Sequence, residues 1–517
     1  MKCSKSYSAY VILASILALG TAAAFLLYSG PFYSFDDSGY ILYASQMLRG
    51  GFSITSSIYS YGFAVPLSLA ASFALFGFSP QAAILPSVLA YLILILLSFL
   101  IGRRISGVIT GLIAAFITAT APFVLQYVTR VLPDLQLAAV SAAALYLFIV
   151  LGSERRTRLH EVKYCAVGFL LSIAVYFKLL ELSYMLFFVA MVIVQGILFG
   201  DAARNKKALV LEFAWLVAGM SIGIFIYLAL FFAASGNPFY ALTTYGNVQR
   251  TIYPTTLSGN INAAATILVG YLPWSPPAYI DPQQYYVGPV IIMALLGTLY
   301  GILRGKREIV GMSVLLWGYI LYLFFGTDTI SSYSNFYVVT RYFIEIVVPL
   351  SVLAAFTLER AFGLLQSRLP KAGAFIIFMV LISITLYNLY TFQTILYYNN
   401  GIGETGQVLA QASSYLHAHG GTVYSTDPLM ANYLQFLSGY RLHVVVIPMG
   451  LRESCSPSYT PSLLALDYNN AYVENSNLIV LKSWAGTNCS FSQTAAFPDN
   501  TNNTMAIGVS VYSIQQK

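Results

Sequence analysis

Apolar residues run along this chain in blocks close to the ~20 residues that carry a helix across a bilayer core. The blocks fall near residues 7–28, 82–102, 107–127, 135–152, 163–179, 182–200, 208–233, 286–303, 309–326, 343–360 and 372–392. They predict a polytopic α-helical membrane protein with about eleven transmembrane helices. A further apolar segment, 62–78, falls short of a full span and carries Pro66. It reads as a juxtamembrane or re-entrant helix on the outer side. From about Asn399 the uniform apolarity ends. QVLAQASSYLHAH and PLMANYLQFLSG read as helices, and TVYST, HVVVIP, NLIVLK and AIGVSVYSI as strands. Alternating elements predict a small C-terminal α/β domain. The expected division is a membrane domain over 1–398 and an α/β domain over 399–517.

Composition excludes a soluble multidomain chain. Apolar residues make up 58% and charged residues 9%, with a mean hydropathy of +0.73, and a soluble surface needs far more charge. The net charge of +7 does not point to nucleic acid, because the basic residues cluster between the apolar blocks. Arg103-Arg104, Arg155-Arg156 with Arg158 and Lys163, Arg204 with Lys206-Lys207, Arg304 with Lys306-Arg307, and Arg360 with Arg368 and Lys371 are such clusters. Lys and Arg resist translocation and mark cytoplasmic loops. This puts the N-terminus, with Lys2 and Lys5, in the cytoplasm and the C-terminal domain outside the cell membrane. Counting 62–78 as a full span would invert every later loop. The first block is too long for a signal-peptide core and reads as a retained helix.

The outer placement suits the C-terminal domain. Cys455 and Cys489 can pair in an oxidising compartment, and the sequons at Asn488 and Asn502 need exposure outside the cytoplasm. Chance also produces two cysteines and two sequons. The chain shows no internal repeat, Walker loop or GxGxxG motif. His160, His417, His419 and His443 all lie away from the outer mouth of the helices, so a histidine-based metal site there has no support.

The chemistry sits in charges that belong to neither set. Arg49, Arg130, Lys178, Arg250 and Arg341 fall at the outer face, with Asp36, Asp37, Asp134, Glu181, Asp281, Asp328 and Glu345 at the same level. Each alone can snorkel to the headgroups; together they suggest one polar cavity. Asp36 and Asp37 suit an N-cap or a general base at the membrane surface, and one aspartate is enough for a cap. Asp134 can cap the helix from Leu135 or act chemically, and Arg130 can pair with it or bind phosphate. Lys178 either pairs with Glu181, three residues on, or neutralises a lipid phosphate. Arg250 lies near Tyr245, Tyr253 and Trp274, whose rings suit a membrane interface or a sugar face.

These segments, in this order, resemble the GT-C glycosyltransferases, in particular the protein O-mannosyltransferases and the aminoarabinose transferases that modify lipid A. Asp36, Asp37 and Tyr40 match an acidic pair and tyrosine in the first outer loop. Phe76-Gly77 matches the end of a proline-containing juxtamembrane segment. Arg130, Pro133 and Asp134 match an Arg…Pro-Asp element, Gly168 through Lys178 a helix ending in lysine, and Arg341, Tyr342 and Pro349 an Arg-Tyr before a proline-containing span. The chain departs from the pattern in having a single Pro66 where many relatives carry Pro-Pro, and no outer-loop histidine. The resemblance implies inverting transfer of a sugar from a polyprenyl (dolichyl) phosphate to an acceptor hydroxyl, with protein, lipid and glycan acceptors all open. It implies Asp36 as base, Asp37 assisting and Asp134 as a second acidic contact. Lys178 and Arg341, then Arg130 and Arg250, would meet the leaving phosphate, beside Tyr40 and Tyr342. It specifies no cofactor and leaves a divalent metal ion open. The alternative is a multi-span transporter or flippase for a lipid-linked or anionic substrate, although inverted repeats and broken helices are not evident. A receptor or assembly scaffold leaves the one-sided charges unexplained.

Overall fold

The computed structural model describes residues 2–27, 35–152, 160–199, 206–245, 288–327, 339–368, 407–419, 422–425, 428–439, 441–446, 462–467, 489–497 and 509–516, with single positions at 379, 383 and 386. The chain packs as two compact units. The first gathers residues 1–25, 53–65 and 87–395, and the second residues 26–52, 66–86 and 396–517.

Most of the first unit is a helical bundle. Its elements are α1 (Lys2–Leu27), most of α5 (Pro80–Ile105), α6 (Val108–Thr120), α7 (Pro122–Leu125), α8 (Asp134–Leu151), α9 (His160–Ala174), α10 (Glu181–Phe199) and α11 (Lys206–Ser235). Helices Val290–Leu303, Arg307–Phe325 and Val347–Arg368 follow, the last entered through a 3₁₀ turn at Thr340–Ile346. Among the described residues seven helices are long and apolar enough to cross a membrane, and Ala64–Phe76, Val108–Thr120, Val162–Ala174 and Val290–Leu303 are shorter apolar helices. The chain is an integral membrane protein. The block expected at 107–127 is broken at Ala121, which leaves the helical region before Pro122, as residues before proline tend to do. The block expected at 372–392 lies outside the described residues, apart from three single positions.

Small residues set the closest packing. A Cβ built on Gly168 would stand 1.9 Å from the Leu216 carbonyl oxygen, and one on Gly219 would stand 2.0 Å from that of Cys165. The backbones of α9 and α11 therefore touch, the close approach that small residues allow between membrane helices. Buried hydroxyls bridge other helices. Ser98 and Thr118 lie 2.8 Å apart, Thr118 Oγ1 donates to Ser351 Oγ at 3.0 Å, and Tyr91 OH donates to the Ala119 carbonyl at 2.6 Å.

The second unit contains α2 (Phe35–Arg49), most of α4 (Ala64–Phe76) and a mixed five-stranded sheet. The sheet order is β2-β1-β3-β5-β4, from β1 (Thr422–Ser425), β2 (His443–Val446), β3 (Ser462–Asp467), β4 (Cys489–Phe497) and β5 (Val509–Gln516). β1 pairs in parallel with β2 and β3, and β5 pairs antiparallel with β3 and β4. Residues 407–419 and Pro428–Leu437 are helical. β3 and β4 were not among the expected strands; SLLALD lacks the period-2 alternation that marks a strand, and CSFSQTAAF is largely polar and small. The expected strand NLIVLK, the sequons, Cys455 and therefore the Cys455–Cys489 pairing lie outside the described residues. So does Arg250.

Candidate functional site

Within the helical bundle, three chain segments bring ionisable groups to one buried place. The first is the start of α8. Pro133 occupies the N-cap position, no side chain caps the helix, and Asp134 is its first residue. Asp134 is thus not a cap: its Oδ1 receives the Lys178 ammonium at 2.6 Å, and its Oδ2 has no hydrogen-bond partner among the described residues. Ahead of the helix, Ser87 Oγ donates to the Arg130 carbonyl at 2.6 Å and pins this loop to α5.

The second segment is the connection between α9 and α10. Tyr176, Phe177, Glu181 and Leu182 amides each donate to the carbonyl three residues back, a run of tight turns that presents Lys178. The turn is held from two sides. Ala64 N donates to the Tyr176 carbonyl at 3.0 Å, and a Cβ on Gly62 would stand 2.2 Å from the Phe177 carbonyl oxygen. On the other side Tyr176 OH donates to the Gly223 carbonyl of α11 at 2.8 Å. The Lys178–Glu181 pair, one of the two roles open to Lys178 from sequence, does not form. Glu181 instead accepts from Ser141 Oγ at 2.5 Å through its Oε1, because Lys178 precedes the helix and three residues of turn do not align side chains as a helix does.

The third segment is the 3₁₀ turn Thr340–Ile346. Glu345 Oε1 stands 3.9 Å from Lys178 Nζ, and its Oε2 accepts from Tyr319 OH of the Arg307–Phe325 helix. The Tyr342 ring lies under the ammonium, with Lys178 Nζ 3.9 Å from its centroid, and Arg341 Cζ is 5.9 Å from the same centroid. Two cations thus share one aromatic ring, an arrangement favoured by the ring quadrupole.

Burial makes this cluster costly. Lys178 is 11% exposed and the Asp134 and Glu345 side chains are fully covered; Glu181 is also buried. One oxygen each of Asp134, Glu181 and Glu345 lacks a hydrogen-bond partner among the described residues. Unsatisfied buried carboxylate oxygens cost stability and persist mainly where function retains them.

The structure brings together Asp134, Lys178, Glu345, Arg341 and Tyr342 of the residues singled out from sequence. Arg130 is buried four residues before Asp134. Asp36, Asp37 and Tyr40 belong to the second compact unit. Both aspartates lie in the first turn of α2, where the helix dipole favours a carboxylate; Asp37 is buried and Asp36 half-buried. Tyr319 and Ser141 were not anticipated, since a tyrosine or serine within an apolar helix carries no distinguishing pattern. Glu345 and Glu181 did carry a signal, an acid within or beside an apolar run. Among the described residues no group of three His, Cys, Asp or Glu side chains is arranged to hold a metal ion.

Residues 61–232 match the profile of the family described as dolichyl-phosphate-mannose-protein mannosyltransferase. No curated protein sequence matches the chain. Among solved structures, ArnT from Cupriavidus metallidurans bound to undecaprenyl phosphate is similar at a TM-score of 0.63 and 13% identity, over 96% of this chain and 97% of that one. Its apo state gives 0.63 at 14% identity, over 98% of each chain. The archaeal oligosaccharyltransferase AglB from Archaeoglobus fulgidus, in complex with an inhibitory peptide and a dolichol-phosphate, gives 0.53 at 10% identity, over 95% of this chain and 70% of that one.

Proposed function

We propose, for a chain that has an ArnT-like fold and resembles the O-mannosyltransferase and ArnT group of the GT-C superfamily, that it is a membrane glycosyltransferase. It moves a sugar from a polyprenyl-phosphate-linked donor to an acceptor hydroxyl at the outer membrane face, with the N-terminus cytoplasmic and residues 399–517 outside. The observation that carries this reading is the pair of cations, Lys178 and Arg341, gathered on the Tyr342 ring. Asp134 and Glu345 hold Lys178 in place on the ring, and two cations facing one ring can stabilise a ligand that brings concentrated negative charge, as a phosphate does. The ArnT structure with the same fold was obtained with undecaprenyl phosphate bound, which supports a lipid phosphate as that ligand.

In the reaction the acceptor hydroxyl attacks the anomeric carbon, the carbon–oxygen bond to the lipid phosphate breaks, and the configuration inverts. The acceptor proton passes to a carboxylate as the new bond forms. Asp36 takes that proton, with Asp37 assisting and Tyr40 one helical turn on. Lys178 and Arg341 stabilise the departing phosphate, where fixed cations contribute most to the transition state. Arg130 and Arg250 add positive charge near it. Asp134 holds the Lys178 ammonium in place.

The test follows label leaving a panel of polyprenyl-phosphate sugars in membranes supplied with protein, lipid and glycan acceptors. Wild type is expected to release label and Asp36→Asn to release at least ~100-fold less, the usual scale for loss of a general base, with membrane insertion unchanged. Full activity of Asp36→Asn would remove Asp36 from the mechanism. No release by wild type from the whole panel would overturn the transferase reading in favour of transport.

A further inference from the structure

We infer that the C-terminal domain braces the helix that carries the acidic pair, and that Phe436 is a positioning residue for Asp36 and Asp37. The inference rests on the function proposed above. Residues 26–52 and 66–86 pack in one compact unit with residues 396–517, so α2 shares a unit with the C-terminal sheet. Within that unit the Pro428–Leu437 helix lies against α2. Met430, Ala431, Tyr433, Leu434 and Phe436 are buried along it, as are Ile41, Tyr43 and Ala44 along α2.

A run of ring contacts then reaches the far end of α2. The Phe436 ring lies 5.7 Å from that of Phe73 in α4, and Phe73 lies 5.0 Å from Phe78. The guanidinium of Arg49, in the last turn of α2, sits over the Phe78 ring at 5.6 Å. The C-terminal domain therefore contacts α2 directly through the Pro428–Leu437 helix and, through three aromatic rings, reaches its last residue. A helix of 15 residues is marginal by itself and takes its position from what packs against it. Displacing a reacting group by about 1 Å costs on the order of 100-fold in rate. The domain's packing thus sets where the base stands, in addition to any acceptor it binds.

The experiment uses the full chain in lipid nanodiscs, comparing wild type, Phe436→Ala and Phe436→Leu. Two readouts are taken: steady-state kinetics with saturable donor and acceptor, and amide hydrogen exchange over 35–49 and over α9–α11. Phe436→Ala is expected to lower kcat about tenfold, leave both KM values within about twofold, speed exchange over 35–49 and leave α9–α11 unchanged. Phe436→Leu, which keeps most of the apolar volume, is expected to recover most of the kcat. A rise confined to acceptor KM with kcat retained would overturn the inference and leave the domain as an acceptor binder. Unchanged exchange over 35–49 would overturn it as well. If wild type turns over no donor the proposed function fails, while the exchange result still decides the brace.

Discussion

The helical bundle carries two polar clusters of opposite character. At one end of α5, Glu359 accepts from Ser106 Oγ at 2.5 Å and from Thr110 Oγ1 at 2.9 Å, and Arg360 stands 3.9 Å from the same carboxyl oxygen. Arg360 Nη2 also donates to Ser106 Oγ at 3.0 Å. One acid meets one base, and Glu359 and Arg360 keep 20% and 37% of their side-chain surface open. The Asp134 cluster sets Lys178 against Asp134 and Glu345, keeps these side chains almost fully covered, and leaves one oxygen of each of these acids and of Glu181 without a hydrogen-bond partner among the described residues. A charge-balanced and partly open cluster is a staple between helices. A dry, unbalanced one is destabilising and has its reason in what it does.

The sharpest way to break this comparison is Lys178→Met. It leaves buried acids without their cation, which costs about 3–5 kcal/mol, and it is expected to lower donor turnover by at least ~100-fold. Thermal unfolding in detergent and label release measure the two effects, and a variant with normal turnover would make the cluster structural only. Gly62→Ala comes next. Its Cβ meets the Phe177 carbonyl oxygen at 2.2 Å, so the Lys178 turn must shift. Turnover is expected to fall about tenfold with a modest loss of stability, whereas unchanged kinetics would mean that the turn yields without moving the lysine. The smallest effect belongs to the staple. Glu359→Gln keeps an acceptor for Ser106 and Thr110, so it is expected to cost less than about 1 kcal/mol and leave turnover unchanged. A large loss of activity there would erase the distinction between the two clusters.

The sequence made the membrane helices legible because a bilayer imposes length and apolarity on every spanning helix. It also flagged Asp134, Lys178 and Arg341, since charges near apolar blocks stand out, and Tyr342 through the family resemblance. Their partners were not legible. Lys178 pairs across the bundle with Asp134 rather than locally with Glu181, a choice made by tertiary packing. Asp134 looked like a cap because capping is a local rule, and the helix instead begins on Asp134 itself. Tyr319 is hidden among the apolar residues of WGYILYLFF. The sheet was read in part: β1, β2 and β5 follow β-branched runs, whereas β3 and β4 depend on neighbours that a local pattern does not contain.

The glycine contact between α9 and α11 has a consequence for how this chain changes over time. Because Gly168 and Gly219 each leave no room for a methyl group against the opposite backbone, neither helix can acquire bulk there without a matching retreat in the other. The turn that follows α9 presents Lys178 and is tied to α11 through Tyr176 and Gly223. Substitution along this seam is therefore constrained in pairs, and the cation inherits that constraint. The lysine's place is thus fixed by two helices with nothing left to remove.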